Sequence, residues 1–248
     1  MAALTFFIGT ITLGSWQIFE KQKILDSWRQ PLKSYVIMMG GIGGYTILIF
    51  TSFKLIPAFE ANVLNYLWPI FLTVLTVLMR GKKLDMMTLS GIFLGFLGVI
   101  FLFYERLDNF ALEFNIGYVL ALMAALLWAI YSTLTQRLSF SAGMMVPIFF
   151  ALCILFFFLH LSFEETIWPQ GLEWIFIGFL GFFRISYVFW DYAMKKGNVS
   201  LLASLAYFVP LISAILFIIF GRLPATPLIA FAGQRWSQKI GHVAKVEF

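Results

Sequence analysis

Eight stretches of this chain are apolar for roughly twenty residues at a time: 2–19, 35–53, 61–79, 87–104, 117–136, 144–163, 172–194 and 200–221. A helix rises about 1.5 Å per residue, so each can cross the roughly 30 Å of hydrocarbon in a bilayer. Lipid is therefore the solvent, and the backbone must satisfy its own hydrogen bonds. The short alternating strands of a transmembrane barrel are not visible. The expected fold is all-α, a polytopic membrane helix bundle. Composition agrees: the chain is 61% hydrophobic and only 12% charged, about half the charged fraction of an ordinary soluble domain. The first stretch lacks a basic leader and a clean small-residue cleavage site, so it reads as a span and not as a signal peptide.

Two prolines lie at matched depths in two of these stretches. Pro69 closes Asn65-Tyr66-Leu67-Trp68-Pro69, and Pro210 closes Ala206-Tyr207-Phe208-Val209-Pro210. Their offset of 141 residues is shared by Tyr66 and Tyr207, and carried without a gap it lays apolar stretch on apolar stretch. Hydropathy agrees better than identity, as in an old duplication. The offset places the partner of 117–136 upstream of Met1 and the partner of 87–104 near 228–245. That last segment opens as Pro227-Leu228-Ile229-Ala230 but turns polar at Gln234-Arg235-Trp236. The expectation is a full design of two repeats of five helices, with about eight complete helices in this chain. Residues 1–110 are read as a first repeat lacking its first helix. Residues 111–233 are a second repeat whose last helix is lost, and 234–248 are a polar, non-native tail.

The net charge of +5 does not point to nucleic acid, because the basic residues fall in short loops. With the 20–34 loop in the cytoplasm, ten lysines and arginines lie in cytoplasmic loops, against Lys54, Arg106 and Arg222 on the other side. This is the orientation bias of membrane proteins. An odd number of helices per repeat inverts the second half relative to the first, an arrangement used for alternating access. Cys153 is the single cysteine, and His160 and His242 are far apart. Neither a disulfide nor a metal site is expected, and no phosphate-binding loop or cofactor motif is present.

Chemistry is expected where the helices break and the aromatics gather. A proline inside a helix releases the carbonyl four residues earlier, so Pro69 and Pro210 mark helix breaks that could border a cavity. Trp68 and Trp128 lie deeper than the interfacial belt to which Trp16, Trp168 and Trp174 belong. Trp128 and Tyr131 are three positions apart and share a helix face. Such aromatics suit a planar or cationic ligand, although helix packing would use them equally well. Span 172–194 carries Arg184 and Asp191. Each would cost about 2.5–3.5 kcal/mol facing lipid, so they face the bundle, either paired with each other or bordering a cavity. Asp191, near the span end, is expected to reach water and could couple protons; Arg184 lies deeper and suits a substrate carboxylate or a buried partner. Gly40 and Gly44 read as a face for close helix packing, as do Gly91, Gly95 and Gly98.

Spans closing on Tyr-x-x-Pro, followed by a short basic loop and a glycine-rich helix, resemble the EamA branch of the drug/metabolite transporter superfamily. Asn65-Tyr66-Leu67-Trp68-Pro69, Trp190-Asp191 and Tyr207-Phe208-Val209-Pro210 resemble the bacterial aromatic amino acid exporters of that branch. The resemblance implies ten helices in two inverted repeats around a central cavity. Tyr66, Trp68 and Trp128 would line that cavity, with Tyr207 opposite. Asn65, Tyr131, Arg184, Trp190 and Asp191 complete the candidate substrate-binding set. It implies a multi-pass protein of the bacterial inner membrane that exports aromatic or other amino acids without a cofactor. The expected partners are a small-molecule substrate and the lipid bilayer. A membrane enzyme would need a polar catalytic cluster that the spans lack; a truncated, non-transporting membrane protein is the remaining alternative.

Overall fold

The structure, a computed structural model, describes residues 1–21, 24–81, 115–138 and 142–206, with isolated positions at 86, 90, 93, 96, 97, 208, 209 and 212. Helix α1 (Ala2–Phe19) leads through the short α2 (Ile24–Trp28) to α3 (Leu32–Leu55). Helices α4 (Ala58–Asn65) and α5 (Trp68–Arg80) make one broken span. Next comes α6 (Ile116–Thr135), then a 3₁₀ turn (Ala142–Met144) running into α7 (Met145–Phe163). A second broken span follows: α8 (Glu173–Phe182), a 3₁₀ turn (Phe183–Ile185) and α9 (Ser186–Lys196), before α10 (Val199–Leu205). Among the described residues, six spans are long and apolar enough to cross a membrane, and they coincide with six of the eight expected. The expected spans 87–104 and 200–221 fall largely outside the described residues. Tyr207, Pro210, the Gly91–Gly98 face and the tail 234–248 lie there too.

Local chemistry sets the helix ends. Pro31 and Pro57 immediately precede α3 and α4, where a missing N–H costs nothing. Gly81 stops α5 at φ 63°, and its N–H turns back to the Val77 and Leu78 carbonyls, a left-handed closure that glycine adopts without strain. Asn115 caps α6 by accepting the Gly117 N–H at 2.8 Å, while its amide donates to the Leu55 carbonyl at 3.1 Å. One side chain thus starts α6 and ties it to the end of α3.

Helix α6 is the hub, packing on α3, α4, α5 and α9. Its Ala121, Ala124, Ala125 and Ala129 are fully buried, and these small side chains let neighbouring backbones approach closely. A second seam joins α1 to α7. There Phe6 stacks on Phe156 and meets Phe149 edge-on, both at 5.5 Å, and Phe6, Gly9, Leu13 and Gln17 repeat along the buried face of α1. Large apolar residues such as Phe7, Phe50, Leu122 and Phe158 face outward, as they do when lipid is outside. The chain is a multi-pass membrane protein.

Two sequence expectations need correction. Span 172–194 is not one continuous helix, because a 3₁₀ turn interrupts it at 183–185. The small-residue face of α3 is set by Gly41 and Gly44 and not by Gly40, which has nothing within 4 Å of a built Cβ.

At the end of the bundle away from the arginine- and lysine-rich loops, Glu164 joins two helices. It forms an ion pair with Lys54 at the end of α3, and His160 Nδ1 on α7 lies 2.7 Å from its Oε2. The hydrogen bond from His160, then that from Lys54, hold the Glu164 carboxyl at about 2, below its ordinary 4.5. A lowered folded value contributes stability that is complete above the ordinary value and is lost as pH falls toward 2. Both partners are solvent-accessible, so the contribution is small and salt-sensitive. Glu164→Gln is expected to lower the thermal midpoint slightly at neutral pH. The gap to the parent should close between about pH 4.5 and 2, as read by intrinsic tryptophan fluorescence.

Candidate aromatic cavity

The break between α4 and α5 is where the first proline placed it. Asn65 ends α4, Tyr66 caps it, and Trp68 and Pro69 open α5. Proline is tolerated in a first turn because no carbonyl is waiting for its N–H. The break turns Asn65 inward, and its amide donates to Tyr45 Oη of α3 at 3.1 Å. Tyr66 lies within electrostatic range of the same Tyr45.

Trp128, on α6, is the centre of an aromatic network. Its ring lies 5.1 Å from Tyr45, 5.2 Å from Tyr131, 5.8 Å from Tyr187 and 6.0 Å from Trp190, measured between centroids. Trp190 meets Trp68 edge-on at 5.4 Å and donates its indole N–H to Ser132 Oγ at 3.0 Å. A cavity of about 180 Å³ opens against Trp128, Ser186, Tyr187 and Trp190. The helices bring five of the sequence-predicted residues into this one aromatic network: Asn65, Trp68, Trp128, Tyr131 and Trp190. Edge-to-face and offset ring pairs contribute about 0.5–1.5 kcal/mol each beyond the area they bury, so the network holds its own shape.

The two charged candidates are placed differently. Arg184 sits in the 3₁₀ turn and reaches across to α1. It donates to Thr5 Oγ1 at 2.9 Å and to Tyr187 Oη at 3.0 Å, and its guanidinium lies 3.8 Å from the Phe6 ring centroid. It orients Tyr187 toward the cavity and does not pair with Asp191. Asp191 does not reach water as expected; it is only 3% exposed, because α9 turns it against α6. Its partner is Lys195, one helical turn on, at 2.7 Å.

The sequence reading missed Tyr45 and Tyr187. Tyr187 had a usable signal, since it lies three residues from both Arg184 and Trp190 on one helical face. Tyr45 had none along the chain, because its role depends on Asn65 and Trp128 from two other helices.

The chain matches the EamA-like transporter family over residues 1–104 and 115–232. This chain belongs to that family. The transporter is 32% identical to "Aromatic amino acid exporter YddG" of Ancylobacter novellus, covering 94% of this chain and 82% of the relative. It is 29% identical to the Escherichia coli protein of the same name, over 64% of this chain and 57% of that protein. A solved crystal structure superposes with a TM-score of 0.82 at 29% identity, covering 94% of this chain and 82% of that one. The family is one of transporters and not of enzymes.

Proposed function

We propose that this transporter exports aromatic amino acids across the bacterial cytoplasmic membrane by alternating access, the cavity at Trp128 being where substrate stacks. The observation that carries this reading is the ring of Tyr45, Tyr131, Tyr187 and Trp190 around Trp128, beside a cavity of about 180 Å³. Flat π-faces with polar tips suit a planar side chain attached to a polar backbone. The relatives named as aromatic amino acid exporters support the same substrate class. Asn65 and Tyr66 border the ring at the α4–α5 break. The 141-residue offset and the two matched blocks support a pair of inverted repeats able to rock about this centre. The bias of basic residues puts the Lys195 end in the cytoplasm.

The test is counterflow in proteoliposomes preloaded with L-tryptophan, using labelled L-tryptophan, L-phenylalanine and L-alanine outside. Flux of the aromatic pair well above that of alanine is expected. Absence of flux, or equal flux for all three, would overturn the reading.

A further inference from the structure

Arg184 is a cation held without an anion. It lies in the middle of the second broken span, and no carboxylate pairs with it among the described residues. Its partners there are two hydroxyls and an aromatic face: Thr5 Oγ1 at 2.9 Å, Tyr187 Oη at 3.0 Å and the Phe6 ring centroid at 3.8 Å. Such contacts orient a guanidinium but leave its charge unbalanced. A charge inside a membrane span faces the bundle or a wet cavity and is held for a task. A tie that only joined α1 to the broken span would need no charge, and an unpaired one is costly to keep out of water.

The hydrogen bonds around Arg184 run in one direction. A guanidinium has five donors and no acceptor. Thr5 Oγ1 gives its own proton to the Ala2 carbonyl, 2.9 Å away, and takes Arg184 on a lone pair. Tyr187 Oη also takes Arg184 on a lone pair, so its own proton has to go elsewhere. Among the described residues it meets no acceptor. Tyr187 lines the cavity beside Trp128, and its ring is set edge-on to Trp128 at 5.8 Å and to Phe149 at 5.7 Å. The row of donors therefore ends at a hydroxyl on the cavity wall. Trp190, on the same wall, has already given its indole N–H to Ser132. An O–H polarised by a cation behind it donates best to an anionic oxygen.

We propose that the substrate's α-carboxylate docks on Tyr187 Oη, with Arg184 as the positioning residue that fixes this hydroxyl and balances the carboxylate charge. This inference rests on the export reading above and deepens it. The aromatic side chain stacks on Trp128, and the carboxylate decides which way round the molecule lies. An aromatic amine without a carboxylate is then a poor ligand, although its ring stacks equally well.

The test is displacement of labelled L-tryptophan from the purified full chain by unlabelled L-tryptophan or by L-tryptophanamide. The amide keeps the indole and the amino group and replaces the carboxylate with a neutral group. The parent protein is expected to prefer L-tryptophan at least about tenfold, or about 1.4 kcal/mol. Tyr187→Phe keeps the ring against Trp128 and Phe149 and removes only the hydroxyl; it should bring the two ligands within about threefold of each other. Arg184→Gln should do the same, and Arg184→Lys, which restores the charge, should keep part of the preference. The double variant should lose no more than either single one, because both residues act through one contact. If Arg184 only ties helices together, Arg184→Gln lowers the thermal midpoint and leaves the preference intact, and the positioning role is overturned. Equal displacement by both ligands in the parent, or the parent's preference retained in Tyr187→Phe, would overturn the carboxylate subsite. Counterflow of L-tryptophan by the parent in proteoliposomes reads export separately. The preference without counterflow keeps the subsite and removes export; counterflow without the preference does the reverse. Absence of displaceable L-tryptophan binding sinks the subsite.

Discussion

Trp128→Ala is expected to raise the half-saturation concentration for L-tryptophan counterflow by at least about tenfold, while Trp128→Phe should raise it only a few-fold. Trp128 touches four other rings, and each such pair contributes about 0.5–1.5 kcal/mol. Those pairs fix the ring in place, whereas affinity depends on the face that Trp128 offers to substrate; tenfold is about 1.4 kcal/mol, the upper end of what one stacking contact contributes beyond the area it buries. Alanine also leaves a void, and Trp→Ala in a packed core costs about 3–5 kcal/mol. Trp128 borders a cavity and is only half-buried, so its cost in stability should be below that range. Gel filtration and a thermal midpoint separate the two effects. If Trp128 only packs helices, alanine lowers the amount of folded protein and leaves half-saturation unchanged, and that result would remove it from the binding surface.

Much of this site was legible along the chain, for reasons specific to each residue. Pro69 forces a break because its ring and missing N–H act locally, and α4 and α5 separate there. Trp128 and Tyr131 needed only helical spacing to be placed together. The pairing of the charges was harder. Arg184 and Asp191, seven residues apart, share a face only if the helix between them is continuous. The 3₁₀ turn at 183–185 has about three residues per turn and shifts the phase. Arg184 then reaches α1, and Asp191 takes the i+4 partner Lys195, a spacing visible in the sequence. The burial of Asp191 follows from how α9 packs on α6, a long-range fact that no local pattern encodes. Tyr45 is of the same kind, since its partners Asn65 and Trp128 come from α4 and α6.

Gly41→Ala should destabilise the bundle and weaken transport together, whereas its neighbour Gly40→Ala should do neither. A Cβ at Gly41 would stand 2.4–2.6 Å from Cδ2, Cγ and Cβ of Tyr131. Tyr131 is 1% exposed and packs against Trp128, so it has little room to turn aside. Two of the three atoms met are the root of the ring and not a flexible tip, so α3 and α6 must separate. Overpacking of this kind costs about 1–3 kcal/mol, more than the roughly 1 kcal/mol that alanine gains over glycine in a helix. Gly40 is exposed on the outer face of α3 with nothing within 4 Å of its built Cβ; alanine there keeps the propensity gain and meets no clash. The same displacement moves Tyr131 and with it the Trp128 ring, so the Gly41 variant should lose counterflow even at temperatures where it remains folded. Thermal midpoints in detergent and initial counterflow rates, measured on both variants side by side, decide the matter. Equal midpoints for the two would mean that the α3–α6 seam is looser than its geometry requires, and that Tyr131 is not fixed by Gly41.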